Sequence, residues 1–148
     1  MNNLVKSLFF TALLLFVFSC NRVKTEPVVK ESYTNGNPKV VMEYATNKAG
    51  TTTLYKETHF FPGEIKFIEL KYNEEGLRDG VCASWHENGN KKSEVKYING
   101  KEDGKYRIWH PNGKLFIKGK YDMGNKVAIW EIYDSLGVKT KEEDFRRK

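Results

Sequence analysis

Residues 79–102, DGVCASWHENGNKKSEVKYINGKE, and residues 103–126, DGKYRIWHPNGKLFIKGKYDMGNK, are two copies of one pattern at a spacing of 24 residues. A third copy, VAIWEIYDSLGVKTKEEDFRRK at residues 127–148, keeps the spacing with more changes. A period between about 20 and 50 residues indicates a repeat architecture. The positions that recur are mainly glycine and aromatic: Gly80, Trp85, Gly89, Tyr97, Gly100, Gly104, Trp109, Gly113, Tyr121, Gly124, Tyr133, Gly137 and Phe145.

Each copy is predicted to be a β-hairpin. Short runs rich in apolar residues flank the pairs Asn88-Gly89 and Asn112-Gly113, and Asn-Gly supplies the positive φ angles of a tight turn. A second turn over residues 99–104 is predicted to join one hairpin to the next, because its two glycines adopt backbone conformations closed to larger residues. The sequence therefore predicts an all-β fold, an elongated single antiparallel sheet of stacked hairpins.

Aromatic residues are expected on both faces of this sheet, because side chains alternate along a strand. Three sets share a repeat position: Trp85, Trp109 and Tyr133; Tyr97, Tyr121 and Phe145; and Cys82, Tyr106 and Trp130. The third set lies on the opposite pleat from the first. A sheet with apolar residues on both sides is expected to be twisted or curled.

Two weaker copies precede the regular repeats. Asn35-Gly36 is followed by Tyr44, and Pro62-Gly63 by Tyr72, at close to the spacing that separates Asn88-Gly89 from Tyr97. Residues 45–53 break the period and are predicted to form a longer loop. The repeat domain is accordingly predicted to span residues 33–148.

The first nineteen residues resemble a bacterial lipoprotein signal peptide. Their apolar run, residues 8–18, is shorter than the roughly 20 residues needed to cross a bilayer as a helix. It ends in Val17-Phe18-Ser19-Cys20, which is similar to a lipobox. This resemblance implies that Cys20 becomes the new N-terminus and carries diacylglycerol, which holds the chain on a membrane.

Residues 20–32 are predicted to be the lipidated cysteine and a flexible linker, since they are polar, contain Pro27 and show no period. The expected location is the cell envelope. The outer membrane is favoured over the inner one because asparagine, not aspartate, follows Cys20.

The repeat itself resembles a known family. Asp-Gly, an aromatic residue five positions on, Asn-Gly, then Tyr and a second Asn-Gly-Lys is similar to the MORN-repeat variant of bacterial proteins, and most similar to the YwqK-type antitoxin family. The resemblance covers residues 80–145 well and residues 33–72 loosely. It implies a run of β-hairpins and supplies no catalytic residue.

Residues that could carry chemistry have structural interpretations. His86 and His110 recur because the repeat recurs, and two histidines are too few for a closed metal site. Cys82 is predicted to be a small buried residue. No GxSxG, HExxH, phosphate-loop or dinucleotide fingerprint occurs. We therefore expect no catalytic residue, metal, cofactor or small-molecule substrate.

The expected function is a non-catalytic, membrane-anchored repeat module for protein–protein interaction in the cell envelope, with an unidentified envelope protein as partner. The alternative is an antitoxin or immunity-type protein that neutralises a toxin; an envelope enzyme is a third and weaker reading. The net charge of +6 is spread along the chain without a block of like charges. Because the chain is expected to be exported, nucleic acid is not an expected partner.

Overall fold

A computed structural model describes residues 23–146, and this part of the chain consists of strands and turns. Among the described residues, no helix is long and apolar enough to cross a membrane. The strands are β1 (Val23–Lys24), β2 (Val28–Ser32), β3 (Pro38–Thr46), β4 (Thr52–Phe60), β5 (Lys66–Lys71), β6 (Gly80–Trp85), β7 (Lys91–Ile98), β8 (Lys101–Trp109), β9 (Leu115–Asp122), β10 (Asn125–Tyr133) and β11 (Lys139–Asp144).

The strands form one antiparallel sheet in which neighbours in sequence are neighbours in space. From β3 to β11 each strand pairs with the next, and both β1 and β2 pair with β3. The prediction of an elongated sheet of stacked hairpins is confirmed. Because the sheet is a single layer, its core is thin: the buried hydrophobic residues are Val40, Ala45, Cys82, Ala83 and Trp130.

The sheet has two kinds of turn. Between β6 and β7 a five-residue turn is closed by two hydrogen bonds, from the N–H of His86 to the carbonyl of Asn90 and from that of Gly89 to the carbonyl of His86, both 2.9 Å. Between β7 and β8 the turn has two residues, Asn99 and Gly100, with φ of 47° and 83°. Positive φ at both central residues is the type I′ geometry that Asn-Gly favours.

The turn predictions therefore need correction. The two-residue turn lies at residues 99–100, whereas Asn88-Gly89 belongs to the longer turn. The joining segment predicted over residues 99–104 is shorter than expected, because β8 already begins at Lys101. Gly104 adopts a φ of 98° inside that strand, where the register between β7 and β8 shifts.

Residues 45–53 are likewise not a long loop. Asn47 opens a five-residue turn in which its N–H donates to the carbonyl of Thr51 at 3.0 Å, and its side-chain oxygen accepts from the N–H groups of Ala49 and Thr51, both 3.0 Å. The equivalent turns in the regular repeats have two residues. The 24-residue period fails here because the turn is longer, not because the hairpin is lost.

The flexible linker predicted over residues 20–32 is corrected for residues 23–32. Val28–Ser32 forms β2 and Val23–Lys24 forms β1, and both pair with the outer edge of β3. An uncovered strand edge leaves backbone groups without partners, and these residues supply them. Cys20 and the predicted signal peptide at residues 1–19 lie outside the described residues.

Candidate interaction surface

The strand register separates two faces with different chemistry. One continuous row of paired residues crosses the sheet on what we call the apolar face: Ile68, Ser84, Ser93, Ile108, Ile117 and Ile132. The neighbouring row points to the opposite side, which we call the charged face: Glu69, Ala83, Glu94, Arg107, Lys118 and Glu131. The sheet therefore offers two distinct surfaces.

An aromatic cluster lies on the apolar face at the C-terminal end. The ring of Trp130 is 5.1 Å from that of Tyr106, 4.9 Å from Tyr121 and 6.4 Å from Phe145, measured between centroids. Its indole N–H donates to the carbonyl of Lys120 at 3.3 Å, and the residue is 5% exposed. Trp130 is the largest of the buried side chains in the described sheet, and these contacts place it at the centre of the cluster.

Gly119 is required for this cluster and escaped the sequence analysis. A Cβ atom at Gly119 would stand 2.2 Å from the nearest atom of the Trp130 ring, so the indole lies directly on the backbone. The preceding copy has Val95 at the same repeat position, which hides the requirement. The sequence signal for this contact is the pairing of a glycine in β9, Gly119, with a tryptophan in β10, Trp130.

The aromatic set of Trp85, Trp109 and Tyr133 lies on the charged face and is half-buried. A lysine ammonium stands over each ring: Lys66 over Trp85 at 5.4 Å, Lys91 over Trp109 at 5.8 Å and Lys118 over Tyr133 at 5.5 Å. Of the second predicted set, Tyr121 and Phe145 contact Trp130, whereas Tyr97 packs against Arg78 at 5.5 Å. Cys82 is buried, as predicted.

The two recurring histidines tie successive turns together. Nε2 of His86 is 2.9 Å from the carbonyl oxygen of Trp109, and Nε2 of His110 is 3.0 Å from that of Tyr133. In the first weak copy Tyr33 takes this role, since its hydroxyl donates to the carbonyl of Phe60 at 2.8 Å. The structural interpretation of the histidines is confirmed.

The opposite end of the repeats is held by aspartates. The carboxylate of Asp79 accepts the N–H of Asn99 at 3.1 Å, and that of Asp103 accepts the N–H of Met123 at 3.3 Å. Asn99 and Met123 both have a φ of 47°. Each aspartate therefore reaches the two-residue turn twenty residues later and stabilises its left-handed backbone.

Gly80 and Gly104, which follow the two aspartates, are replaced by an alanine in the third copy. Gly80 and Gly104 have φ of 93° and 98°, and Ala128, at the next step of 24, has a φ of 61°. A left-handed conformation costs a residue with a Cβ atom about 1–2 kcal/mol. Ala128 therefore carries backbone strain that the other two copies avoid.

In the N-terminal half, tyrosines bind carboxylates instead of other rings. The hydroxyl of Tyr55 donates to Glu43 at 2.7 Å, and that of Tyr72 to Glu57 at 2.9 Å. Partial burial, together with the neighbouring carboxylate, raises the pKa of both Tyr55 and Tyr72 to about 12. Both phenols are thus protonated donors at neutral pH.

Ion pairs cross the middle of the charged face. Lys91 lies 2.7 Å from Glu94, and Lys118 lies 2.6 Å from Glu131. The hydrogen bond from Lys91 is the main reason that the pKa of Glu94 is lowered, and the bond from Lys118 does the same for the pKa of Glu131. These carboxylates are therefore already engaged by the protein itself.

A row of lysines runs beside these ion pairs on the same face, and we call it the lysine row: Lys71, Lys96, Lys105 and Lys120. Among residues 23–146 none of the four forms an ion pair within 4.0 Å. Lys105 and Lys120 stand directly opposite each other on β8 and β9. Like charges in directly opposed positions destabilise a sheet, so this arrangement costs the fold stability.

The lysine row borders a cleft of about 440 Å³ lined by Val81, Glu94, Lys96, Gly104, Lys105 and Lys120. A Cβ atom at Gly104 would lie 3.4 Å from Cδ of Lys96, and one at Gly80 would lie 3.6 Å from Cδ of Lys71. These distances show that the stems of Lys96 and Lys71 lie close to the glycine backbone. The cleft has apolar walls made of lysine methylenes and a cationic rim.

The described part of the chain holds no candidate metal site. Among residues 23–146, no three His, Cys, Asp or Glu side chains come together in a group that could hold a metal ion. In the same residues every buried side-chain nitrogen or oxygen has a hydrogen-bond partner.

The fold and its surface define a class: a single-layer antiparallel sheet built by stacking hairpins. Within it, residues 78–99 and 102–123 match the family model of the MORN repeat variant. The first match covers β6 and β7, and the second covers nearly all of β8 and β9. MORN repeats are generally modules for interaction with proteins or membranes. Searches of curated proteins and of solved structures returned no significant match.

Proposed function

We propose that this protein is a non-catalytic interaction module of the cell envelope, held on a membrane by lipid at Cys20 and binding a partner protein through its sheet. The observation that carries the proposal is the single-layer architecture. Among the described residues, no large side chain is fully buried, so neither face is sealed by a second layer. A sheet of this kind presents long, ordered surfaces, which repeat proteins use for binding.

The order of the surface supports a binding role. Cation–aromatic contacts and ion pairs fix the side chains of the charged face, and the histidine bonds fix each turn relative to the next. A surface that is ordered before binding loses less conformational entropy when a partner docks. The chain therefore has the properties of a preformed docking platform.

Membrane attachment is tested by replacing the proposed lipid acceptor. Cys20→Ser should release the protein into the soluble fraction of lysed cells, because acyl chains buried in a bilayer supply about 0.8 kcal/mol per CH₂ group. Cys82→Ser is the matched control, since Cys82 is buried within the sheet, and it should stay with the membranes. A Cys20→Ser protein that still pellets after a high-salt wash would contradict the anchor.

The partner is tested by crosslinking in intact cells, followed by purification of the tagged protein and mass spectrometry. One dominant protein at near-equal stoichiometry is the expected result. If that protein proves toxic when expressed alone and harmless together with this chain, the role is neutralisation of a toxin. Recovery of lipid only, or of a scatter of abundant envelope proteins, would contradict the proposal.

A further inference from the structure

We infer that the lysine row binds an extended acidic segment of a partner protein, with carboxylates at alternate positions. This inference rests on the proposed interaction role and names the chemistry of the partner. Its starting point is the opposed pair Lys105 and Lys120, with Lys96 beside them. A fold that keeps like charges together without a close ion pair for any of them retains a cost, which an anionic ligand would relieve.

The geometry of the row fits an extended chain. The lysines are carried by β5, β7, β8 and β9, so the row covers four inter-strand steps, or about 19 Å at roughly 4.8 Å per step. In an extended peptide, side chains on one side recur about every 6.7 Å. About four acidic side chains, in a segment of about seven residues, would therefore span the row.

The cleft beside the lysine row can accommodate the partner's backbone and the aliphatic parts of its acidic side chains. Its walls are the aliphatic parts of lysines and Val81, which is 40% exposed. An acidic side chain has a short apolar stem that can lie against such walls while its carboxylate reaches an ammonium group. Glu94 also lines the cleft, but its carboxylate is already bound by Lys91.

The charged face favours a narrow acidic strand over a flat anionic membrane. The row next to the lysines holds Glu69, Glu94 and Glu131 together with Arg107 and Lys118, two residues along the strands and so about 7 Å away. Its acidic and basic side chains largely offset one another, so a bilayer surface pressed onto this face would meet a mixed row beside the lysines and gain little from it. A single extended segment lying along the lysine row would not meet this mixed row.

The test is a binding titration of the full chain, purified in a neutral non-ionic detergent, against a fluorescent peptide of alternating Glu and Ser. Four Glu and three Ser match the length of the lysine row, at roughly 6.7 Å between successive Glu side chains. We expect saturable binding that weakens steeply with added salt. The peptide with Gln in place of Glu should not bind. Absence of saturable binding by the Glu peptide, or equal binding of the Gln peptide, would overturn the inference.

Two matched variants locate the site. Lys96→Gln/Lys105→Gln/Lys120→Gln should weaken binding of the Glu peptide by about tenfold or more, since three charge contacts are lost. Lys30→Gln/Lys114→Gln/Lys141→Gln removes the same charge from exposed positions outside the row and should leave binding within about twofold of the unaltered chain. Equal loss in the two variants would overturn the site, because only net charge would then matter.

Folding and lipid supply the remaining controls. The first triple variant should melt no lower than the unaltered chain, because it removes the repulsion between Lys105 and Lys120. If this variant melts much lower, the inference is tested on the unaltered chain alone, by the salt dependence of Glu-peptide binding and by the lack of binding of the Gln peptide. The lipid control adds bicelles with and without phosphatidylglycerol to the bound peptide. If bicelles displace the peptide in proportion to their anionic lipid, and neutral bicelles do not, the ligand of the lysine row is a lipid surface and not an acidic segment.

The outcome is independent of the membrane experiment. Peptide binding by the purified chain does not require Cys20 to be lipidated. If the peptide does not bind, the proposed envelope role still depends only on the results of the fractionation and crosslinking experiments. Failure of the Cys20→Ser prediction would in turn leave the peptide result standing.

Discussion

The two halves of the sheet share a backbone plan and differ in the chemistry that holds them together. In β8–β11 the rings of Tyr106, Tyr121 and Trp130 pack on one another, and Trp130 is 5% exposed. In the N-terminal half the hydroxyls of Tyr55, in β4, and of Tyr72, directly after β5, instead donate to carboxylates. Hairpin stacking therefore does not require one particular kind of core.

The difference has an energetic meaning. Ring packing depends on burial of apolar area, which responds weakly to salt. Phenol–carboxylate hydrogen bonds depend on the protonation of the phenol and the ionisation of the acid. The C-terminal half is thus expected to be the more sensitive to changes in shape. Burial raises the pKa of Tyr106 and Tyr121 as well, so both halves should lose stability at high pH, and the N-terminal half loses its phenol–carboxylate hydrogen bonds in addition.

The largest expected effect comes from removing the centre of the aromatic cluster. Trp130→Ala should lower the free energy of unfolding by about 3–5 kcal/mol, because it leaves a cavity among three other rings. Phe67→Ala is the N-terminal counterpart. Phe67 is 42% exposed although its ring lies 5.1 Å from that of Phe61, and its loss should cost about 1 kcal/mol or less. Urea denaturation followed by circular dichroism measures both, and equal costs would erase the contrast between the halves.

Adding a methyl group should be the next most damaging change. Gly119→Ala places a Cβ atom 2.2 Å from the Trp130 ring, and the displacement should cost about 1–3 kcal/mol. Gly63→Ala is the control, because nothing lies within 4 Å of its added Cβ atom and its φ is not left-handed. The two variants are compared by thermal melting. A Gly119→Ala protein as stable as Gly63→Ala would show that Trp130 can move without penalty.

Removing one phenol tests the N-terminal half. Tyr55→Phe breaks a 2.7 Å hydrogen bond to the Glu43 carboxylate and should cost about 1–2 kcal/mol at neutral pH. Tyr106→Phe is the matched change in the aromatic cluster; among the described residues its hydroxyl makes no hydrogen bond, so its loss should be nearly neutral. Urea denaturation at neutral pH is the measurement. The reverse order of costs would contradict the division between the halves.

The same tyrosines give a pH dependence with a definite sign. The folded-state pKa of Tyr55 and Tyr72 is raised from 10.0 to about 12, so their stabilisation is complete below pH 10 and is lost as the pH rises towards 12. In the Tyr55→Phe/Tyr72→Phe variant, the free energy of unfolding should therefore fall less steeply as the pH rises from 10 towards 12. Titration of tyrosinate by ultraviolet absorbance should show two fewer late-titrating groups, and an unchanged titration curve would rule out the assignment.

The smallest expected effect is a gain. Ala128→Gly removes the strain of a φ of 61° and should raise the free energy of unfolding by about 0.5–1 kcal/mol, the strain being partly offset by the greater freedom of unfolded glycine. Ala49→Gly, in the exposed turn between β3 and β4, has no such strain to relieve and should not stabilise. Chemical denaturation distinguishes the two, and a loss of stability in Ala128→Gly would show that Ala128 is not strained.

The sequence predicted the regular half well because its signals are local and repeated. A fixed spacing of 24 residues aligns Trp85 with Trp109 and Gly80 with Gly104, and each pair confirms the other. The fold class and the structural role of His86 and His110 follow from that repetition. Such evidence is strong because it does not depend on any single residue.

The irregular half was harder because its units differ in turn length. The turn at Asn47 has the same hydrogen bonds as the turn at His86, yet it stands where the regular repeats have two residues. That change moves the hairpin out of the 24-residue register. β2 was missed because it is exposed along its whole length and joins the sheet through its backbone, which composition does not reveal.

The lysine row and Gly119 were missed for another reason. Both depend on which residues face each other across strands, such as Lys105 and Lys120, and cross-strand register is set by turns and bulges. A single sequence does not state that register. The row becomes visible only when the strands are placed side by side.

The bonds from His86 to the carbonyl of Trp109 and from His110 to that of Tyr133 join each hairpin only to the one after it. Every strand of the regular half likewise pairs only with its neighbours in the chain. The number of hairpins is therefore not fixed by any contact between distant strands. A further unit of 24 residues inserted between β7 and β8 would meet the same partners on both sides, so the sheet would become longer by one hairpin without a change in its other contacts.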